Sequence, residues 1–346
     1  MTTMTMKSIV LRAPRVWLGE IGSSVESGAV AISGGRVESV LRPGDPVPAG
    51  ATVVDYPDCT ILPGLVDAHV HLLFSALDTA LADAIHDSDQ TLILRGVANA
   101  QDELRCGVTT LRDCGGRGLL SLSLRDSVNA GIISGPRILA SGAPITTTGG
   151  HLHFCDLEAD GVDEVVKTTR RLCKAGVDFI KVMATGGGMT PGTNPRAPQY
   201  TTEELTAIVS EARRLGGRRV AAHCHATEGI VRAVDAGITT IEHCSWLHEK
   251  DGRDFRLEVV QRMVERGTYV VLTMGSERAA VKPESELTEA QRAAVKGWGE
   301  HLELQRRTVR GGVRFVAASD AGVARTFFRE YPLTLEVMAL LLEIPI

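Results

Sequence analysis

From residue 60 onward the chain repeats one pattern. A helix-length stretch with apolar residues three and four apart ends in glycine or a small residue, and a short apolar run follows. The first run is 60–71 (TILPGLVDAHVH). The others are 107–112 (GVTTLR), 136–141, 176–183 (GVDFIKVM), 219–223, 237–243 (GITTIEH), 267–273 and 312–319. Glycine just past a helix end is the expected left-handed cap, and β-branched runs without alternation mark strands covered on both faces. Residues 202–215 and 257–266 typify the helical stretches between them. Eight strand-then-helix units predict an α/β fold, a (β/α)8 TIM barrel. A doubly wound open sheet would need a glycine-rich phosphate turn after its first strand, and Val70-His71-Leu72 is not one.

Before residue 60 the pattern changes. Residues 28–40 (GAVAISGGRVESV) form two alternating runs around Gly34-Gly35, a dipeptide suited to a two-residue hairpin turn. A loop rich in proline and glycine, 42–50, follows. Two domains are expected: residues 1–59 as a small N-terminal β-unit, part of an incomplete β-sandwich, and residues 60–346 as the barrel.

Composition narrows the class. The 346 residues carry 37 Lys+Arg against 42 Asp+Glu, a net charge of −5, so no basic surplus exists to neutralise phosphates and no nucleic-acid partner is expected. No apolar run approaches the ~20 residues that span a bilayer, and residues 1–15 lack the apolar stretch and cleavage site of a secretory leader. The expectation is a cytoplasmic protein with a small-molecule substrate and no membrane contact. The seven cysteines (59, 106, 114, 155, 173, 224, 244) are odd in number and lack a CxxC pair, which argues against a disulfide framework and a thiolate zinc site.

In a (β/α)8 barrel the reactive residues stand at the carboxyl ends of strands. The first strand ends in His69-Val70-His71, whose two imidazoles point to one side and can converge on one ion. Lys181 lies on the fourth, His223 ends the fifth with His225 following, His243 ends the sixth and Asp320 the eighth. Singly, each has an ordinary explanation: an HxH pair is a weak motif, His223 and His243 suit a core, and Asp320 suits a helix cap. Lys181 is harder to dismiss, because a lysine inside FIKVM is almost never buried unpaired. Together, at successive strand ends, these residues read as a metal site.

The segments 62–71 (LPGLVDAHVH), 107–110 (GVTT), 147–151 (TTGGH), 179–187 (FIKVMATGG), 222–225 (AHCH), 241–243 (IEH) and 319–322 (SDAG) resemble the amidohydrolase superfamily. More narrowly they are similar to its imidazolonepropionase-related group, which includes metal-dependent dipeptidases; the likeness runs from about residue 29 to 341. The resemblance implies a hydrolase cleaving the C–N amide bond of a small substrate such as a dipeptide or N-acyl amino acid. It implies two divalent ions, zinc by default. His69, His71 and Asp320 would bind one, His223 and His243 the other, and Lys181, as N6-carboxylysine, would bridge them. A metal-bridging hydroxide would attack the carbonyl, with Asp320 as the proton shuttle.

His151, His225 and Gly187 are the expected substrate contacts, Gly187 within a loop whose N–H groups could meet a carboxylate. Arg112 and Arg117 add two cations near the end of the second strand. Three other functions stay open: a mononuclear deaminase or cyclic-amide (imidazolone-type) hydrolase, a lactone, ester or organophosphate hydrolase, and an inactive metal-binding remnant. The mononuclear enzymes usually carry a glutamate soon after the strand-five histidine and no bridging lysine, whereas here His225-Ala226 follows and Lys181 is present. Relatives usually finish with strands returning to the N-terminal unit. Here residues 333–342 are followed closely by Ile346, so an unpaired edge beside the Gly34-Gly35 hairpin is expected, and with it a homo-oligomer.

Overall fold

Eight of the apolar runs become the strands of one parallel barrel, because side chains on both their faces find cover. The structure, a computed structural model, describes residues 8–276 and 284–344. Residues 1–7, part of the 1–15 segment considered above, lie outside the described residues. Contacts divide the chain into two compact units, one ending at Gly64 and one beginning at Leu65.

The first unit holds β1 (Ile9–Arg12), β2 (Arg15–Trp17), β3 (Ser24–Glu26), β4 (Ala29–Ser33), β5 (Arg36–Leu41), β6 (Thr52–Asp55) and β7 (Thr60–Ile61). They form two sheets, ordered β5-β4-β1-β6 and β3-β2-β7. The β4–β5 hairpin turns on Gly34 and Gly35 at φ of 58° and 74°, angles that a side chain would oppose. Val10, Ala29 and Ala31 make a small core, and β5 stands at the sheet edge.

The second unit alternates β8 (Leu65–Val70), β9 (Val108–Asp113), β10 (Arg137–Ala140), β11 (Ile180–Met183), β12 (Val220–Ala226), β13 (Thr240–Leu247), β14 (Tyr269–Thr273) and β15 (Phe315–Ala318) with helices. These are α1 (Ala80–His86), α2 (Asp89–Arg105), α3 (Leu120–Asn129), α4 (Gly161–Ala175), α5 (Thr202–Arg214), α6 (Thr227–Asp235), α7 (Leu257–Arg266) and α8 (Glu289–Arg310), with α9 (Tyr331–Leu342) last. Helix α5 opens on a capping box, Thr201 with Glu204, and α7 stops at Gly267 in the left-handed region (φ 68°). All four residues of β11 are buried, Lys181 among them.

Parallel ladders join β8 to β10 and β11 to β15. Individual bonds close the two seams. At one, Asp178 N–H donates to Ala140 O and Ile145 N–H to Lys181 O, each at 2.9 Å; at the other, Asp320 N–H donates to His69 O (2.9 Å) and His71 N–H to Ala321 O (2.8 Å). The result is the TIM barrel, and its second seam runs through the residues picked out above. Among the described residues no helix is long and apolar enough to cross a membrane. All seven cysteines are unbonded, and Cys114, Cys155, Cys224 and Cys244 are buried.

Candidate metal centre

Seven of the ten histidines, 69, 71, 151, 223, 225, 243 and 301, line one cavity of about 240 Å³ at the carboxyl ends of the strands, together with Lys181 and Asp320. The strands deliver them. His69 ends β8, Lys181 sits on β11, His223 and His225 on β12, and His243 on β13. Asp320 follows β15 with its backbone turned left-handed (φ 65°), an angle that Asp tolerates better than most residues. The next turn is tight: a Cβ at Gly322 would stand 2.3 Å from His71 O, so only glycine lets the two segments approach.

Each of four rings is held by its Nδ1. His69 Nδ1 meets Glu242 Oε2 at 2.7 Å, His71 Nδ1 meets Gly115 O at 2.6 Å, His225 Nδ1 meets Ser245 Oγ at 2.8 Å and His243 Nδ1 meets Thr273 Oγ1 at 2.7 Å. A ring that donates through Nδ1 presents the Nε2 lone pair at its far side, the form a metal ligand needs. Burial is the main force holding His69 and His225 down to about 4 and His151 down to about 3. The same desolvation keeps His223 and His243 well below the ordinary histidine range, so these imidazoles are neutral at pH 7. Burial opposes ionisation of Asp320, but attraction to His69 and contact with His71 outweigh it and hold the carboxyl low.

The spacing tests whether these residues fit an ion. Asp320 Oδ1 lies 3.4 Å from His69 Nε2 and 3.5 Å from His71 Nε2, at or beyond the far end of hydrogen bonding. Ligands about 2.0–2.1 Å from a tetrahedral ion stand roughly 3.4 Å apart, so the donor set fits. Oδ1 has no hydrogen-bond partner among the described residues. His223, His225 and His243 form a second group whose ligand atoms lie within 4.8 Å of one another, as do those of the first. His225, read from the sequence as a substrate contact, therefore stands inside the second group. Lys181 lines the same cavity and is fully buried, with Nζ 3.5 Å from His69 Nε2 and no carboxylate within 4 Å among the described residues.

His151 lies buried against His223, ring centroids 4.5 Å apart, with its Nδ1 unpartnered among the described residues. Gly187 is where the sequence expectation needs revision. Its N–H already donates to Thr193 Oγ1 (3.3 Å) and that of Gly186 to Ala197 O (3.2 Å), so neither is left for a carboxylate. A Cβ there would stand 2.4 Å from His151 Nε2; the glycine makes room for the ring.

Arg112 and Arg117 are likewise placed elsewhere. Arg112 sits behind the site, donating to Ala68 O (2.7 Å) and Glu242 Oε1 (2.6 Å), while Arg117 is taken up by Ala84 O, Ile85 O and Asp87 O. Sequence reasoning missed Glu242 as the residue that orients His69. Burial would neutralise Glu242, but the Arg112 charge overcomes this and holds it well below the carboxylate range. A lone acid in the apolar run ITTIEH was the available signal. His301 and Gln305, which reach the cavity from α8, left none.

The histidine shifts fix a pH dependence for metal-free protein. Between about pH 6.5 and 4 the unfolded chain protonates histidines that the folded chain keeps neutral: 69, 151, 223, 225, 243 and 301. Unfolding then takes up protons, so stability falls as pH falls. Buried Asp67, Glu103 and Asp113, all raised by desolvation, act in the opposite sense, three groups against six. The melting temperature of the metal-free chain is expected to drop between pH 7 and 5, each net proton weakening stability by about 1.4 kcal/mol per pH unit. A flat or rising curve in a thermal melt series would contradict this balance.

A TIM barrel with two groups of nitrogen and oxygen ligands at its mouth defines a class of metal-site barrel proteins. The amidohydrolase family model matches residues 60–343, and the chain belongs to the amidohydrolase family. It is similar to an ochratoxinase of Aspergillus niger, 34% identical over an alignment of 244 positions that covers 62% of this chain and 47% of that protein. The chain spans about half the length of the curated relatives it matches. Among solved structures it is similar to a Xaa-Pro dipeptidase with methionine bound in its active site: TM-score 0.82, 28% identity, covering 97% of this chain and 84% of that one. It is also similar to a prolidase complexed with N-methylphosphonate-L-proline: TM-score 0.81, 27% identity, covering 97% and 83%.

Proposed function

We propose that this chain is a metal-dependent hydrolase of amide C–N bonds in small substrates, dipeptides or N-acyl amino acids foremost. The carrying observation is the convergence of Nδ1-anchored imidazoles with Asp320 and the buried Lys181 on one cavity. His69, His71 and Asp320 would hold one divalent ion and His223 with His243 the other, His225 standing within the same group. Conversion of Lys181 to N6-carboxylysine would give this buried side chain, which has no carboxylate within 4 Å among the described residues, two anionic oxygens with which to bridge the ions. When bound, two such ions, zinc by default, would supply a water of near-neutral pKa and a Lewis acid for the carbonyl.

The chain's own residues do the rest. With Oδ1 facing His69 and His71 as a ligand, the Asp320 carboxylate, kept ionised, would accept the water proton on its other oxygen and return it to the departing nitrogen. Glu242 and Arg112 fix the tautomer of His69 from behind. His151 walls the cavity beside Gly187 and offers a neutral ring to the bound substrate. Two separate ligand groups favour this reading over a mononuclear deaminase. The ochratoxinase, dipeptidase and prolidase similarities support amide substrates. The free cysteines support a reducing, cytoplasmic setting and the exposed edge strand β5 a homo-oligomer.

The test is elemental analysis of protein expressed with zinc and bicarbonate, followed by a hydrolysis screen. Two ions per chain and turnover of a dipeptide or N-acyl amino acid are expected. Turnover confined to lactones, esters or organophosphates would move the substrate class. One ion would favour the mononuclear deaminase, and no ion with no turnover would make the inactive remnant the account.

A further inference from the structure

The strand that carries His243 does not end as a regular strand. The β12–β13 ladder pairs Cys224 with His243 and Ala226 with Leu247, so one residue on β12 faces three on β13. Within this bulge His243, Cys244 and Trp246 all have left-handed backbones, at φ of 65°, 50° and 56°, although none is glycine. Such angles bring Cβ against the backbone and persist only where surroundings enforce them. On the other side the β13–β14 ladder stops at Glu242 with Val271, so β14 offers no ladder partner to His243 or Cys244.

Both carbonyls are taken by one side chain. Gln305, on α8 and 2% exposed, donates from Nε2 to His243 O at 2.8 Å and to Cys244 O at 3.1 Å. Three residues on, Thr308 Oγ1 accepts the Trp246 indole N–H at 3.1 Å. The planar amide spends both hydrogens on two successive carbonyls and so fixes, along with the plane after Cys244, the peptide plane that joins His243 to Cys244. That plane sets the direction of the His243 side chain, whose Nδ1 must reach Thr273 Oγ1 on β14.

We propose that Gln305 is a positioning residue: it holds His243 in ligand geometry by clamping the strained backbone around it. This rests on the two-metal reading above. Gln305→Met keeps the length of the side chain and removes both donors, and Gln305→Glu leaves at most one. Thr308→Val is the control, removing a bond from the same helix face to the same bulge but not to His243. The measurement is titration of Zn²⁺ and Co²⁺ against a chromophoric chelator, with the visible spectrum of the cobalt-loaded protein.

Gln305→Met is expected to weaken the second of two sites about tenfold to a hundredfold, as loss of an outer partner to a ligand does, and to alter the cobalt spectrum. Gln305→Glu should follow in the same direction. Thr308→Val should lower the melting temperature while keeping wild-type affinities. Gln305 variants that fold and bind both ions within twofold of wild type would overturn the proposal, as would Thr308→Val weakening metal equally. If both Gln305 variants fail to fold while Thr308→Val folds, Gln305 serves the fold and the proposal is likewise overturned. Failure of wild type to bind two ions counts instead against the two-metal reading on which the proposal stands.

Discussion

Asp320→Asn is expected to cut kcat by about 10³-fold, in the range that general acid–base groups contribute, while leaving metal content largely intact. Asn matches Asp in shape and, like it, tolerates the left-handed backbone that residue 320 adopts (φ 65°), so the segment after β15 should keep its course. The amide oxygen can still face His69 and His71, but it cannot take a proton near neutral pH. A loss confined to KM would mean that Asp320 only helps to bind substrate. Full activity of the variant, at unchanged metal content, would remove Asp320 from the proton path altogether. Steady-state kinetics with elemental analysis of the same preparation separates these results.

Lys181→Ala is expected to lower metal content from two ions per chain to one or none and to abolish turnover. Lys181 is fully buried and lines the same cavity as both ligand groups, and in the proposed reading its carbamate supplies the bridging oxygens. The substitution also empties space in a strand buried along its whole length, and truncations of large buried side chains commonly cost about 2–5 kcal/mol. A denaturant melt is therefore needed beside the metal analysis, to show that the variant is folded when it fails to bind. Two ions retained by a folded Lys181→Ala chain would exclude a bridging role.

Much of this was legible before any coordinates. A strand covered on both faces has no reason to carry a charge, so Lys181 inside FIKVM and histidines closing AHCH and IEH stood out against their surroundings. Eight such runs also counted out the barrel. Direction was not legible: Arg112 belongs to the same strand end as Asp113, yet its guanidinium turns behind His69 rather than into the mouth. Steric roles were hidden too, since Gly187 matters for the ring that fills its missing side chain. The supports for His243 lay beyond reach for another reason. Gln305 sits about sixty residues downstream on a helix whose periodicity marks a buried face but not a hydrogen-bond partner, and left-handed angles at His243 and Asp320 carry no sequence signature without glycine.

The seam between β8 and the segment after β15 has a mechanical consequence. Two of its backbone bonds, Asp320 N–H to His69 O and His71 N–H to Ala321 O, involve all three residues of the first ligand group. Zipping the cylinder shut and assembling that group are therefore a single event. A chain with this seam open keeps Asp320 apart from both imidazoles, so the proposed first ion site exists only in the closed cylinder.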